Sequence, residues 1–133
     1  MVGTVGRQTG QCRLRVRQQT DSQTLHHHVH GYTKDTATCY TDEWKGYHHI
    51  QRAHSTVCHG QKEWARDDDG DGIREVHVNT LEGLWTTARN FLRPFRGVHK
   101  KYLKDYLAMC EHRINLKRIS PSFIAALVVA HKF

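Results

Sequence analysis

The chain has 133 residues, enough for one domain with a workable core, and its composition is ordinary for a globular protein, with 38% hydrophobic and 25% charged residues. No apolar run approaches the roughly 20 residues that span a bilayer, and no secretion signal is visible, so we expect a cytoplasmic protein without a membrane partner. The net charge of +7 is uneven: residues 83–133 hold 10 Lys and Arg against 2 acids, whereas residues 1–82 hold 10 against 11. Such asymmetry favours a nucleic-acid partner, although solvated helix faces are often basic too.

The cysteines and histidines match no zinc-binding spacing. The cysteines form no C-x-x-C pair, and they are Cys12, Cys39, Cys58 and Cys110. We interpret them as reduced and mostly buried thiols, because free cysteine is among the most often buried residue types. His26 and His30 are four residues apart on a predicted helix, yet no third ligand is identifiable. A zinc site is therefore not favoured.

The first 60 residues predict short strands around one helix. The stretch "CRLRVR" places Cys12, Leu14 and Val16 on one face and three arginines on the other, which is the period of a half-buried strand. The preceding "MVGTVG" suits the partner strand of a hairpin. "DSQTLHHHVHGY" indicates a short helix with Asp21 or Ser22 as its N-cap. "TATCYTDE" and "STVCHG" are typical of two further strands, joined by a loop or short helix.

The stretch "RDDDGDG" raises the question of calcium. Asp67, Asp69 and Asp71 match positions 1, 3 and 5 of an EF-hand loop, and Gly72 matches position 6. Position 12 is Val78, where that loop needs a bidentate glutamate. An acidic surface loop is therefore the better interpretation and a specific calcium site the weaker one.

The last third of the chain predicts helices. Apolar side chains recur at helical spacing over residues 80–92, and Pro94 ends this helix. A second apolar stripe indicates a helix in "GVHKKYLKDYLAMCEHRINLK", and "SPSFIAALVVA" suits a third, with Ser120 as N-cap. We expect one α/β or α+β domain over residues 1–133, with strands and a short helix in about 1–60, a polar connection in 61–78 and basic helices in 79–133.

Glu82 and Arg89 lie seven positions apart on the helix predicted over residues 80–92. Seven residues are two helical turns less about 20°, so the two side chains point the same way roughly 10 Å apart. That spacing suits a carboxylate on a metal and a cation on a phosphate. Asp42 ends a predicted strand, where its carboxylate could join that of Glu82 around divalent ions. Spacing alone, however, favours the interpretation that Glu82 is a solvated helix residue and Asp42 a strand-end cap.

Two stretches, "YTDEWKGY" and "HVNTLEGLWTTARNFLRPFRGVHKKYL", resemble the catalytic domain of DDE-type transposases of bacterial insertion sequences. More narrowly, they are similar to the branch that carries an H-x-N-T-x-E-G-x-W block. The resemblance extends over nearly the whole chain, from "VGTVGRQTGQCRLRV" to "SPSFIAALV". It implies a ribonuclease-H-like mixed sheet followed by C-terminal helices, and DNA transposition by strand cleavage and transfer that depends on Mg²⁺ or Mn²⁺.

The resemblance also implies roles for individual residues. Asp42 would be the second acid and Glu82 the third, both as metal ligands. Asn79 would complement the metal shell or take the third acidic role itself, and this choice stays open. Arg89 stands where such enzymes carry a Lys or Arg on DNA phosphate, a task that suits a guanidinium. The other residues expected to bind DNA are Arg93, Lys100, Lys101 and Trp44.

One departure from the family pattern leads us to expect truncation. The family's first Asp lies on a strand ahead of the "VGTVG" strand, whereas this sequence starts at Met1. We therefore expect a sheet that lacks its first strand and a site that binds Mg²⁺ weakly and turns over little. The alternative is a non-catalytic module that binds DNA, associates with itself through the unpaired sheet edge, or inhibits full-length transposase.

Overall fold

A computed structural model describes residues 1–117 and Pro121. This part of the chain is a mixed α/β structure. Its strands are β1 (Val2–Val5), β2 (Cys12–Arg15), β3 (Cys39–Asp42), β4 (His54–Val57), β5 (Ala65–Arg66) and β6 (Val76–His77), and its α-helices are α1 (Ser22–Tyr32), α2 (Asn79–Leu92) and α3 (Leu103–Leu116). The strands pair as three two-stranded ladders, β1 with β2, β3 with β4 and β5 with β6, so a ribonuclease-H-like sheet stays a prediction.

The N-terminal hairpin confirms the two strands predicted at the start of the chain. β1 and β2 are antiparallel, with Val5 opposite Cys12. The predicted alternation holds, because Cys12 and Leu14 are buried while the arginines between and after them are half-buried. Gly3 lies under Trp85, since a Cβ at this glycine would be 3.0 Å from the indole ring. Helix α2 therefore packs directly on the backbone of β1.

Side chains of α3 cover the free edge of β2. The Glu111 carboxylate accepts hydrogen bonds from the Leu14 amide at 2.7 Å and from the Arg15 guanidinium at 2.8 Å. The Asn115 side chain accepts from the Cys12 amide at 2.8 Å and donates to the Cys12 carbonyl oxygen at 3.0 Å. An edge strand otherwise presents unpaired backbone groups, so α3 takes the place of a neighbouring strand here.

One hydrophobic core joins the hairpin to α2 and α3. Its buried side chains come from β2, α2 and α3, and they are Cys12, Leu14, Leu84, Ala88, Leu107 and Cys110. Burial of apolar surface is the dominant favourable term in folding, whereas an isolated two-stranded ladder is marginal in water. The hairpin is therefore held by the two helices that cover it.

A second, smaller core lies where β3, β4 and β6 meet. Val57, Val76 and Val78 are buried there, and Tyr40 packs against them. The polar connection predicted over residues 61–78 contains two short strands that the sequence analysis did not identify, the β5–β6 ladder. The many charged residues of this segment obscure the alternating pattern of Val76 and Val78, which face the second core.

Arg7 ties the hairpin to this second core. Its guanidinium donates to the carbonyl oxygens of Glu75 and His77 on either side of Val76. It also lies over the Tyr40 ring, 3.8 Å from the ring centre. Burial lowers the pKa of Arg7 from its ordinary value. The hairpin turn and β6 are thus joined by backbone hydrogen bonds to one cation.

Helix α1 begins as predicted, with Asp21 as its N-cap. The Asp21 carboxylate accepts a hydrogen bond from the Thr24 amide at 2.8 Å. The buried face of the helix consists of Leu25, His28 and Val29. The His28 side chain is 0% exposed, and neither of its ring nitrogens has a hydrogen-bond partner among the residues that the structure describes. Such an environment disfavours the charged imidazolium.

Helix α2 confirms the helix predicted over residues 80–92. It begins one residue earlier, at Asn79, and its apolar arc faces the first core as expected. After Leu92 the chain continues as a 3-10 turn over Arg93–Phe95. Pro94 has no amide hydrogen to continue the α-helical hydrogen bonds, which explains why the helix ends there.

The second predicted C-terminal helix starts later than expected. α3 begins at Leu103, so residues 97–102 are not helical. Gly97 adopts φ of +118°, a conformation that favours glycine and that a right-handed helix excludes. The third predicted helix, over residues 120–130, lies outside the described residues except for Pro121. No helix in the described part of the chain is long and apolar enough to cross a membrane.

The four cysteines are free thiols, as predicted. Cys12 and Cys110 are buried in the first core, and Cys39 and Cys58 are half-buried. Burial raises the pKa of Cys12 to about 11 and also raises the pKa of Cys110. Cys12 and Cys110 therefore contribute to packing and carry no charge near neutral pH.

Acid should destabilise the fold through His28. Burial, followed by the charges of Arg17 and Arg15, lowers the pKa of His28 from 6.5 to about 4. Between these pH values the unfolded chain binds a proton that the folded chain does not, so the free energy of unfolding falls as the pH falls. The loss from pH 7 to pH 4 should be on the order of 3 kcal/mol. Urea unfolding followed by circular dichroism measures it.

The His28→Leu variant keeps a buried side chain and removes the titrating group. Its free energy of unfolding should change much less between pH 7 and pH 4. The change that remains should come from His54 and His77, whose pKa values burial also lowers. His27→Leu, at an exposed position of the same helix, is the matched control and should stay acid-sensitive. Equal acid sensitivity in the unsubstituted chain and in His28→Leu would contradict this account.

Candidate metal centre and DNA-binding surface

Strands β3 and β4 end side by side, which brings the residues that follow them together. They are parallel, and Asp42 at the end of β3 lies opposite Val57 at the end of β4. The carboxyl ends of parallel strands are a common place for ligands to bind. Here that edge opens into a pocket of about 500 Å³, whose lining residues are Asp42, Glu43, Trp44, Lys45 and His59.

Hydrogen bonds to the Glu43 side chain connect the turn after β4 to the end of β3. Its carboxylate accepts the backbone N–H groups of His59 and Gly60, each at 3.0 Å. The hydrogen bond from its own backbone, followed by those from Gly60 and His59, lowers the pKa of Glu43. An ionised carboxylate therefore sets the distance between the two strand ends.

Glu63 holds the same turn by a second set of hydrogen bonds. Its carboxylate accepts from the Cys58 amide at 2.9 Å and from the Arg66 guanidinium at 3.0 Å. The Cys58 hydrogen bond first, and Arg66 second, lower the pKa of Glu63. Two carboxylates thus bind three consecutive amides, and the backbone of His59 is fixed between them.

His59 connects this turn to helix α2. Its Nε2 atom lies 3.9 Å from Oε1 of Glu82, which stands in the first turn of the helix. A carboxylate at that position also interacts favourably with the helix dipole. The His59 ring meets the Trp64 ring edge-on, with ring centres 5.0 Å apart. Glu82 therefore lies against the imidazole that lines the same pocket as Asp42.

Asp42 shares a pocket with His59 and Glu82 lies 3.9 Å from the His59 imidazole, but these residues form no compact ligand cluster. The ligand atoms of Asp42, His59 and Glu82 are not all within 4.8 Å of one another. Asp42 is exposed and its carboxylate accepts the Trp44 amide at 3.2 Å, whereas the Glu82 side chain is 55% exposed and has no hydrogen bond among the described residues. Asn79, the first residue of α2, is exposed as well. The structure therefore fixes the backbone positions of these residues but not the orientation of the Glu82 carboxylate.

The acidic loop after β5 holds three carboxylates close together. Oxygen atoms of Asp67, Asp69 and Asp71 lie within 4.8 Å of one another, the one such group of three within residues 1–117. Asp67 accepts the Gly72 amide at 2.8 Å, and Gly72 adopts a left-handed φ of +87°. Position 12 of the EF-hand comparison, Val78, is buried in the second core. The loop is thus the acidic, largely exposed segment that the sequence predicts.

The four cations predicted to bind DNA are all exposed, and they are Arg89, Arg93, Lys100 and Lys101. None of them pairs with an acidic side chain in the part of the chain that the structure covers, whereas Arg15 in the hairpin pairs with Glu111 at 2.8 Å. The two lysines lie in the turn before α3 and not on a helix as predicted, because the helix starts after Gly97 and its turn. Arg89 donates to the Thr86 hydroxyl of its own helix at 3.2 Å.

The aromatic residues near the site divide into packed and exposed ones. Trp44 is 56% exposed, and its indole N–H donates to the Thr20 carbonyl oxygen at 3.4 Å. Tyr47 is half-buried, and burial raises its pKa to about 12. Trp85 packs against the first core, as predicted. Trp44 is therefore the aromatic beside Asp42 whose ring face is open to a ligand.

Two residues of this site, Glu43 and His59, were not identified from the sequence. Glu43 follows Asp42 directly in "YTDEWKGY" but has no distinctive spacing of its own. His59 comes just after the strand predicted from "STVCHG", as Asp42 comes at the end of its strand. That shared position is the signal that could have indicated His59, given the parallel pairing of the two strands.

Comparisons with known proteins point to transposable elements. The model of a family described as "ISXO2-like transposase domain" matches residues 1–115. Over 78 residues the chain is 35% identical to an uncharacterized protein in transposable element ISH50 of Halobacterium salinarum. That match covers 56% of this chain and 24% of the relative, so the chain spans about a quarter of the relative's length. No solved structure matches the chain.

Removal of the Glu43 carboxylate should loosen the turn after β4. In Glu43→Ala the amides of His59 and Gly60 lose their acceptor, so their hydrogen exchange should rise roughly two- to tenfold. NMR-detected exchange measures this change, and Glu43→Gln should give a smaller rise because it keeps one acceptor oxygen. The Thr24 amide, capped by Asp21, is the internal control. Unchanged exchange at residues 59 and 60 would show that the turn is held by other contacts.

Proposed function

The chain belongs to the ISXO2-like transposase domain family, and we propose that it carries a metal-dependent site for the DNA strand cleavage and transfer of transposition. The observation that supports this most directly is that Asp42 and His59 line one pocket and that the His59 imidazole lies 3.9 Å from the Glu82 carboxylate. All three residues lie within residues 1–115, which the family model matches. The name of the ISH50 relative agrees with a role in a mobile element.

The carboxylates suit a divalent ion. Mg²⁺ and Mn²⁺ take oxygen ligands, and Mg²⁺ typically binds one or two carboxylates plus water and substrate phosphate. On this proposal Asp42 and Glu82 would hold the metal, and Asn79 would complete the shell from the start of α2. Such ions activate the attacking oxygen and stabilise the leaving oxygen in phosphoryl transfer. A ribonuclease-H-like arrangement of the full sheet is part of the same proposal.

The cations beyond Glu82 would hold the DNA backbone. Arg89 follows Glu82 by about two turns on α2, and its guanidinium can make two parallel hydrogen bonds to one phosphate. Arg93 continues the same side of the chain, and Lys100 and Lys101 follow in the exposed turn. Because no acidic side chain of residues 1–117 neutralises these four, their charge is available to a polyanion. Trp44 would stack on an unpaired base beside the metal.

Asp42→Asn and Glu82→Gln should each weaken binding of Mg²⁺ and Mn²⁺. Each change removes a charged ligand and nearly keeps the side-chain shape. We expect a loss of about tenfold or more, because even outer-shell changes cost about 10–100-fold in metal affinity. Isothermal titration calorimetry measures the affinities, in an Asp69→Asn background that disrupts the acidic loop.

Asp105→Asn is the matched control for these two variants. Asp105 is an exposed acid on α3, remote in sequence from the candidate centre, and its loss should leave both affinities unchanged. If the chain with Asp42→Asn or Glu82→Gln binds either ion as tightly as the control does, Asp42 and Glu82 are not the ligands.

Lys100→Ala combined with Lys101→Ala should weaken DNA binding to a similar extent for every DNA sequence. Loss of two phosphate contacts releases fewer counterions, so the slope of log affinity against log salt should become shallower by about 2. Fluorescence anisotropy with element-end DNA at several salt concentrations measures the slope. Lys34→Ala, an exposed lysine of the near-neutral part of the chain, is the control and should leave it unchanged.

Cleavage of the same DNA separates the proposal from its alternative. Strand cleavage with Mn²⁺ that disappears in Asp42→Asn and in Glu82→Gln supports a catalytic site. DNA binding without cleavage, unaffected by either substitution, supports a non-catalytic module that binds DNA or inhibits an intact transposase by pairing with it.

A further inference from the structure

We infer that His59 is a third protein ligand of the candidate metal centre, and that its imidazole gives the centre a preference for first-row transition-metal ions over Mg²⁺. The inference rests on the proposed function, because it places His59 on the ion that Asp42 and Glu82 would hold. It extends that proposal by adding a nitrogen ligand to a site that would otherwise offer only oxygen.

The gap between His59 and Glu82 suits an ion between them. The 3.9 Å from Nε2 to Oε1 exceeds the roughly 3.2 Å limit of a good N–H···O hydrogen bond. Bonds from a metal ion to a histidine nitrogen or a carboxylate oxygen are each about 2.0–2.2 Å, so two ligands of one ion lie up to about 4.3 Å apart. The observed separation is too long for a direct contact and falls within the range that a shared ion allows.

The imidazole is the fixed member of this pair. The His59 amide donates to Glu43 at 3.0 Å, and the ring lies edge-on to Trp64. The His59 side chain is 23% exposed against 55% for Glu82. A ligand that is already held loses little freedom on binding, whereas the exposed Glu82 side chain adjusts by rotation. Asp42 lines the same pocket as His59 and would approach the ion from there.

A nitrogen ligand changes the choice of ion. Mg²⁺ requires near-octahedral oxygen coordination and dehydrates reluctantly. The affinity of a nitrogen ligand such as imidazole rises along the first-row divalent ions, so it is higher for Co²⁺ than for Mn²⁺ or Fe²⁺. The acidic loop offers only carboxylates, and His26 with His30 offers two stacked imidazoles whose centres are 4.1 Å apart. Neither of these groups combines nitrogen with two carboxylates as the candidate centre does.

Titration with Co²⁺ and, separately, with Mg²⁺ tests the inference. The full chain carries Asp69→Asn and His26→Gln, so that the acidic loop and the histidine pair contribute little. His59→Gln should lower the Co²⁺ affinity about tenfold or more, since it removes a ligand, and should change the Mg²⁺ affinity less than about twofold. The visible Co²⁺ absorption bands should shift as the nitrogen ligand is lost. His49→Gln, at an exposed position in the loop before β4, is the matched control.

The outcomes distinguish this inference from the proposed function. If Asp42→Asn weakens Co²⁺ binding but His59→Gln does not, His59 is not a ligand and the proposed centre stands without it. If neither Asp42→Asn nor Glu82→Gln affects any ion, the proposed centre itself is wrong and the inference is overturned with it. Circular dichroism checks that each variant is folded. Should His59→Gln unfold, His59→Asn replaces it, with the same results expected.

Discussion

Helix α2 joins the two hydrophobic cores of the described structure. Ladders of two strands are marginal alone, so each ladder in this chain is held by the elements packed on it. The buried face of α2 contributes Leu84 and Ala88 to the core of the hairpin and α3. Just before the helix begins, Val76 and Val78 enter the core formed with β4. Movement of this one helix would therefore disturb both cores at once.

The candidate metal centre takes its geometry from the same arrangement. Asp42 is placed by β3, His59 by the turn after β4, and Glu82 by the first turn of α2. The carboxylates of Glu43 and Glu63 bind the backbone of that turn and keep His59 between the other two elements. The backbone of the turn is thus fixed by hydrogen bonds, while the Glu82 side chain stays 55% exposed.

The positive charges of the chain are used in two different ways. In the N-terminal part, arginines serve the fold: Arg15 pairs with Glu111, Arg52 with Asp35 and Arg66 with Glu63. The cations from Arg89 to Lys101 stay exposed and have no such partner within residues 1–117. The excess of charge at the C-terminal end of the sequence therefore appears as surface that suits a phosphate backbone.

Local patterns in the sequence identified the hairpin, the Asp21 cap and the apolar arc of α2, because each depends on residues a few positions apart. The β5–β6 ladder has no local signal, since Val76 stands among charged residues. The late start of α3 follows from the backbone conformation of Gly97, which composition and periodicity do not show. Candidate site residues such as Asp42 and Glu82 could be identified from the motifs that contain them. That Glu82 lies 3.9 Å from His59, which lines one pocket with Asp42, was decided by the parallel pairing of β3 with β4 and the packing of α2, contacts between distant segments that no local pattern records.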